Sequence, residues 1–376
     1  MDDFNIASLF INAAEFVNKQ EIQLKEDSKI GAFMKEYTVM KKNLFLTAGG
    51  AFLLLSALVS VPVRQAHAQD DTSAVRVKPK DSVQHSFSFN TGSPDGKLGA
   101  LSRPDGSQGP ETETADDFVL TQPTVISGAT IHGLLNATGS SVPSVAGVEV
   151  EIYHVFKLDS DENRTTGAPT FSTDKVPTRV NSPSDVEIGP ATRNSSDGTL
   201  SFIPNQISAF QVQNTVINGI NLKPQQLTHG EGPATGEQVS IDITFKTPLF
   251  LSPGHYFFRP EVEVLGGNFL FLSSPRSGLP FPDGTNDLQA WIRNTNLKPD
   301  WLRIGGDIVG AGTFNMTFSL SGNEIPEAGT PGQVDCHDQT AAAMAREFRG
   351  IDASALTLGY TSVSALQNGI GVFCGE

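Results

Sequence analysis

Apolar and polar residues alternate with period two in several segments of this chain. Val239, Ile241, Ile243 and Phe245 share one parity, and Ser240, Asp242, Thr244 and Lys246 the other. Phe314, Met316, Phe318 and Leu320 alternate with Thr313, Asn315, Thr317 and Ser319. The same holds for Val148, Val150, Ile152 and Phe156 against Glu149, Glu151 and Tyr153, and for Val83, Phe87 and Phe89 against Gln84, Ser86 and Ser88. Tyr256, Phe258, Val262 and Val264 oppose Arg259, Glu261 and Glu263. Period two with one apolar parity predicts strands of antiparallel sheets that are dry on one face and wet on the other.

Turn signals separate these segments: Ser93-Pro94-Asp95-Gly96, Pro104-Asp105-Gly106, Asp197-Gly198, Ser252-Pro253-Gly254, Gly266-Gly267 and Pro282-Asp283-Gly284. No long helical pattern interrupts residues 81–321. The economical architecture is two packed antiparallel sheets, a jelly-roll-like β-sandwich over 81–322. Asp159 to Asn181 and Leu222 to Gln238 read as elaborated loops. The 36 Gly and 23 Pro, with 24 Phe against only 2 Trp and 4 Tyr, fit many turns around a Phe-rich core.

After a Pro/Gly/Thr linker at 323–333 the period changes to 3.6. Over 334–376, Ala341, Met344, Ala345 and Phe348 form one helical stripe. Asp338 is a candidate N-cap and Gly350 a stop. Asp352 could cap a short helix ending at Gly359, and Ser362 a third carrying Val363, Leu366, Ile370 and Phe373. Cys336 and Cys374, the only cysteines, bracket this module. In an exported chain they predict a structural disulfide. A metal pair through Cys336-His337 is the alternative, but no histidine neighbours Cys374 in sequence.

The export reading comes from Met40 to Ala68. Met40-Lys41-Lys42-Asn43 is a short basic start, Leu44 to Val61 is apolar, and Ala66-His67-Ala68 is a small-x-small cleavage pattern before Gln69. That is the layout of a secretory signal peptide. The rival is a membrane anchor, but Thr47, Gly49, Gly50, Ser56 and Ser60 dilute the run. Residues 1–39 then read as an extension upstream of a true start at Met40, and 69–80 as a flexible mature N-terminus.

Residues 1–68 carry equal numbers of acidic and basic groups, so the mature chain keeps the net charge of −15. Such a surface repels nucleic acid and anionic lipid. The expected localisation is secreted: extracellular, periplasmic or cell-surface, with no membrane segment after cleavage, as a monomer.

Candidate chemistry is sparse. Glu149/Glu151 and Glu261/Glu263 are i,i+2 pairs, each on one sheet face. β-sandwich glycoside hydrolases use two such carboxylates. Asp159-Ser160-Asp161 opens like a calcium loop, but Arg164 replaces the glycine and Thr170 the glutamate that such a loop needs. Asp283 and Asp287 lie in a second oxygen-rich stretch, so calcium is the one cofactor the sequence suggests. Trp291 and Trp301 flank Arg293, a grouping that could stack and bond a glycan. No H-E-x-x-H, G-x-S-x-G or phosphate-loop motif is present.

Three stretches together resemble uncharacterised exported bacterial β-sandwich proteins: Glu113-Thr114-Ala115-Asp116-Asp117-Phe118-Val119-Leu120 with Ile126 to Ile131, Leu251 to Phe258, and Asp287 to Arg293. Some similar proteins end in a Pro-Glu-Pro sorting signal. Here Pro326-Glu327-Ala328 takes that place, with no membrane helix or basic tail after it. The tail resembles a small helical module appended to other secreted bacterial proteins. The expected function is a non-enzymatic extracellular or envelope protein binding a glycan or a cell-surface protein. The alternatives are a secreted polysaccharide hydrolase using a carboxylate pair, and a structural surface protein whose tail docks to a partner.

Overall fold

The computed structural model describes residues 85–376 apart from 107–108, 157–180, 221–226, 276–279, 282–283 and 299. The signal-peptide pattern, the 69–80 segment, Val83, Asp159, Asp161 and Asp283 therefore lie outside the described residues.

The fold is mainly β, two sheets and a small C-terminal helical module with no closed barrel. One sheet is built on β4 (Thr124–Ala137). Along one edge β4 pairs with β9 (Ala234–Leu251), which pairs with β7 (Leu200–Val212). Along its other edge the first half of β4 pairs with β15 (Phe318–Glu324), and β15 with β1 (Ser86–Asn90). The second half pairs with β11 (Gly267–Ser274), which also holds β2 (Leu98–Leu101) and the two-residue β14 (Asn315–Met316). β8 (Asn214–Val216) adds to β2 in parallel. Every other pairing is antiparallel, as the alternation predicts.

The second sheet runs β13 (Leu302–Arg303), β12 (Trp291–Asn294), β3 (Thr112–Leu120), β10 (Gly254–Leu265), β5 (Ser144–His154), β6 (Arg193–Asn194). Its inner parity carries Phe118, Val148, Val150, Ile152, Phe258, Val262 and Ile292. These pack with Ile131, Ile241, Ile243, Phe269, Phe271, Phe318 and Leu320 of the first sheet in one core. Burying a Phe or Ile side chain stabilises by about 1.5–3 kcal/mol, so this layer carries most of the fold's stability. The β10–β11 hairpin turns at Gly266, whose φ of +77° suits a residue without Cβ.

Three readings change. The strand predicted through Phe314 to Leu320 breaks at Thr317, because Asn315 and Met316 pair with β11 while Phe318 onward pairs with β4. The interval 222–238 is not all loop, since β9 begins at Ala234. The linker starts later than 323, because β15 runs through Glu324 and Ile325 is fully buried.

The tail forms α1 (Cys336–Phe348), α2 (Ile351–Thr357) and α3 (Val363–Cys374), closed by the Cys336–Cys374 disulfide. Ser362 caps α3, its hydroxyl accepting from the Ala365 amide at 3.1 Å. Asp338 and Asp352 are not caps; they fall inside the first turns of α1 and α2, where their charge still suits the helix dipole. The module is docked on the sandwich: Val125 of β4 and Phe250 of β9 share its core with Met344, Leu366, Ile370 and Phe373.

Candidate functional site

The outer face of the six-stranded sheet holds most of the predicted site residues. Glu113 of β3, Glu149 and Glu151 of β5, Arg259 and Glu261 of β10 and Arg293 of β12 all point outward. Little of this set meets water, the Glu149 side chain keeping the largest exposure at 25 %. Arg259 is 1 % exposed and is surrounded by carboxylates. Its Nη1 lies 2.9 Å from Glu261 Oε2 and 3.4 Å from Glu149 Oε1; its Nη2 pairs with Glu151 and lies 3.8 Å from Glu113. Arg293 pairs with Glu113, donates to Asp185 O at 3.1 Å and to the Tyr153 hydroxyl at 2.9 Å, and stacks 4.2 Å over the Trp301 ring. The Tyr153 hydroxyl donates to Glu151 at 2.5 Å. Lys298 closes the rim, 2.5 Å from Glu111 and 2.8 Å from Glu113.

This knot sets the protonation states. Burial would raise Glu113, but the charges of Arg293 and Arg259 and the hydrogen bonds of Arg293 and Lys298 prevail and hold it at about 2. Burial raises Glu261 to about 8, and the charge of Arg259 does not offset it. Burial likewise raises Glu151. A carboxylate needs a second charge or proton when water is excluded, and here both solutions are used.

The reading of Trp291 and Trp301 as a sugar platform is corrected. Trp301 is 0 % exposed and Trp291 1 %; with Ala115, Tyr153, Val155 and Phe257 they form a small dry core on this face. A loop residue seals it: the Trp301 indole donates to Ser184 O at 3.2 Å. Arg293, buried and paired, offers nothing to a ligand. The carboxylate pairs are corrected in the same way: Glu149, Glu151 and Glu261 share one guanidinium rather than facing each other across open space. Glu263 alone is exposed. A groove of about 370 Å³ beside them is lined by Glu149, Glu261, Glu263, Asn194 and Ser195.

Two acidic groups bear on metal binding. Glu111, Glu113 and Glu261 bring one oxygen each within 4.8 Å of the others. The Lys298 ammonium already bridges two of them, so this set is neutralised from within. Asp287 is buried and accepts from Asn315 Nδ2, which lies 3.0 and 2.9 Å from its two carboxylate oxygens. It neighbours Asp116, which accepts from the Met316 amide at 2.7 Å, and Asp117, which accepts from the Leu288 amide at 2.9 Å and lies 2.6 Å from His255 Nε2. Burial raises Asp117 to about 6, against the pull of His255, and raises Asp116 as well, with the Asp117 charge adding to it. Asp287 therefore works as a hydrogen-bond anchor for β14.

The opposite face of the molecule is different in kind. The outward parity of the nine-stranded sheet reads, across strands in register, Ser88, Ser321, Gly128, Thr244 and Ser201. The next row is Asn90, Ser319, Thr130, Asp242 and Ile203, and a partial third is His132, Ser240 and Asn205. A trough of about 450 Å³ lies over these rows, lined by Ser127, Thr130, Asp242, Thr244 and Ser321, with Thr357 at the end of α2. Asp242 is fixed by two donors, Thr130 Oγ1 and Asn205 Nδ2, each at 2.9 Å. The sequence showed the hydroxyl parity of single strands; the register that turns them into one surface was not readable from it.

No protein-family model, curated protein or solved structure matches this chain.

Proposed function

We propose that this is an exported, non-catalytic binding protein that holds a neutral glycan in the trough over the nine-stranded sheet. The single observation behind this reading is the composition of that trough: a broad, water-accessible surface of short hydroxyl side chains around one oriented carboxylate, Asp242, with Lys246 beside it. Sugar hydroxyls are both donors and acceptors, and such a surface answers both. The disulfide supports an oxidising compartment, and the pattern from Met40 to Ala68 supports export. Among the described residues no helix is long and apolar enough to cross a membrane. The test is a glycan-array screen of the purified, disulfide-bonded protein with and without calcium. Selective binding that weakens by about tenfold in a Thr244→Lys, Ser321→Lys variant is expected; no binding, or binding indifferent to both lysines, would sink the assignment.

One observation favours a second reading, polysaccharide hydrolysis. Glu261, held at about 8, keeps a proton at neutral pH beside Glu149 in a groove. Arg259 Nη1 lies against both carboxylates, which disfavours their use as an acid and nucleophile pair. Release of reducing ends from a soluble polysaccharide, abolished by Glu261→Gln, would establish hydrolysis; no release at any pH from about 4 to 8 would dismiss it.

A further inference from the structure

The glycan-binding reading leaves open what form of glycan the trough takes, and the lattice of the face bears on that. Resting on that reading, we infer that the ligand is a single extended chain of a neutral polysaccharide, running across the strands with about one sugar unit per strand.

The geometry comes first. Neighbouring strands lie about 4.8 Å apart, and alternate residues of one strand about 6.8 Å apart. That strand spacing is comparable to the length of one pyranose unit in an extended chain. Five strands in register, from β1 to β7, give a track about 19 Å long. The track is bordered by two parallel rows that are polar except for Gly128 in one and Ile203 at the β7 end of the other. In the middle of one row Gly128 has no side chain, and a Cβ added there would meet Ser321 Oγ at 3.1 Å and Ile243 O at 3.2 Å.

The track is also stiff. Between the polar rows runs an inward row of Phe89, Leu320, Ala129, Ile243 and Phe202, all packed on the main core. The outward side chains are short, so little rotamer freedom is lost when they bond a ligand.

Charge and the lack of aromatics narrow the ligand. The protein's net charge is −15, yet the rows carry Asp242 as their only acidic residue, with Lys246 following Thr244 on the same parity. An anionic polymer would be repelled by the molecule as a whole, and a cationic one would find a single carboxylate. No Trp, Tyr or Phe stands in the outward rows, so no one ring can be gripped by stacking. Each sugar then contributes little, and useful affinity requires several repeats bound at once. Sheet twist decides between a free chain and a crystalline surface. At about 20° per strand, five strands turn by about 80°. A flat crystal face would touch a fraction of the rows, whereas a single chain can follow them.

The experiment is calorimetric titration of the full, disulfide-bonded protein with soluble neutral oligosaccharides of increasing length, from one to about six units, in the cello, xylo, manno, malto and chito series. One series is expected to gain affinity with each unit up to about five and then level off, the longest binding about 100-fold more tightly than the dimer. Thr244→Lys with Ser321→Lys should reduce the longest ligand's affinity about tenfold, while Glu187→Lys at an exposed position away from both grooves changes nothing. Circular dichroism and melting of each variant verify folding. Equal affinity for monomer and hexamer, with the same sensitivity to the lysines, overturns the extended-chain inference and leaves the glycan reading standing. Preference for an anionic polymer overturns it too. Absence of binding to every series overturns both.

Discussion

Phe250 and Phe373 stack face to face, with ring centroids 3.9 Å apart and planes 9° apart. One ring belongs to a strand of the larger sheet and the other to the last helix, so the helical tail and the sandwich share a second core beside the one between the sheets. Phe373→Ala should destabilise the whole protein by about 3 kcal/mol. Chemical denaturation should show a single transition moved to lower denaturant. Two separated transitions would mean that the module folds on its own.

The disulfide spans 38 residues of sequence. Removing it by Cys336→Ser with Cys374→Ser should cost about 4 kcal/mol in the chain-entropy account. Because Cys374 adjoins Phe373, the double serine variant and Phe373→Ala should be non-additive. Melting curves of the three proteins measure this, and strictly additive shifts would contradict the shared core.

Glu261 gives stability a pH dependence of definite sign. Its pKa is about 8 folded and 4.5 unfolded, so the folded state holds the proton more tightly. Its contribution is fully favourable below 4.5 and is lost as pH rises through 8. Asp117, about 6 folded against 3.8, acts in the same sense over a lower window. Glu113, about 2 folded against 4.5, acts oppositely and destabilises as pH falls from 4.5 to 2. Stability should therefore peak near pH 4.5 and decline on the alkaline side by up to about 1.4 kcal/mol per pH unit between 6 and 8. Glu261→Gln should flatten that decline. An unchanged slope in the variant would place Glu261 outside the titration.

Arg259 holds apart carboxylates that would otherwise meet in a dry site. Arg259→Met leaves them without their central cation and should cost about 3–5 kcal/mol, more at pH 8 than at pH 5. Denaturant midpoints at the two pH values test both size and direction. A variant as stable as the parent at pH 8 would show that the knot does not need its guanidinium.

The two buried indoles make a spectroscopic prediction. Trp291 and Trp301 are the only tryptophans, so native emission should be blue-shifted and resistant to acrylamide. It should stay so when glycan binds to the other sheet. A ligand-induced change in intensity would return the six-stranded face to consideration.

Period two told which parity of each strand is apolar, and the core follows it: Ile241, Ile243, Phe318 and Leu320 lie where the alternation puts them. It did not tell whether the second parity is wet. Arg259, Glu261 and Tyr153 sit on the polar parity yet are buried, because loop residues such as Ser184 and Asp185 cover that face from a distance in sequence. The two tryptophans invited a surface role for the same reason. The polar rows of the other sheet were visible strand by strand in Ser240, Asp242 and Thr244, but inter-strand register depends on non-local pairing that one sequence does not display.

The pairing of β1 with β15 also orders events in time. Among the described residues the first strand has one neighbour, and it is the last strand of the sandwich, Ser86 opposite Asn323 and Asn90 opposite Ser319. A chain emerging from its N-terminal end cannot seat that strand until more than two hundred later residues have followed. The sandwich therefore cannot close until β15 has emerged, which leaves an interval in which its unpaired strand edges must be kept from aggregating.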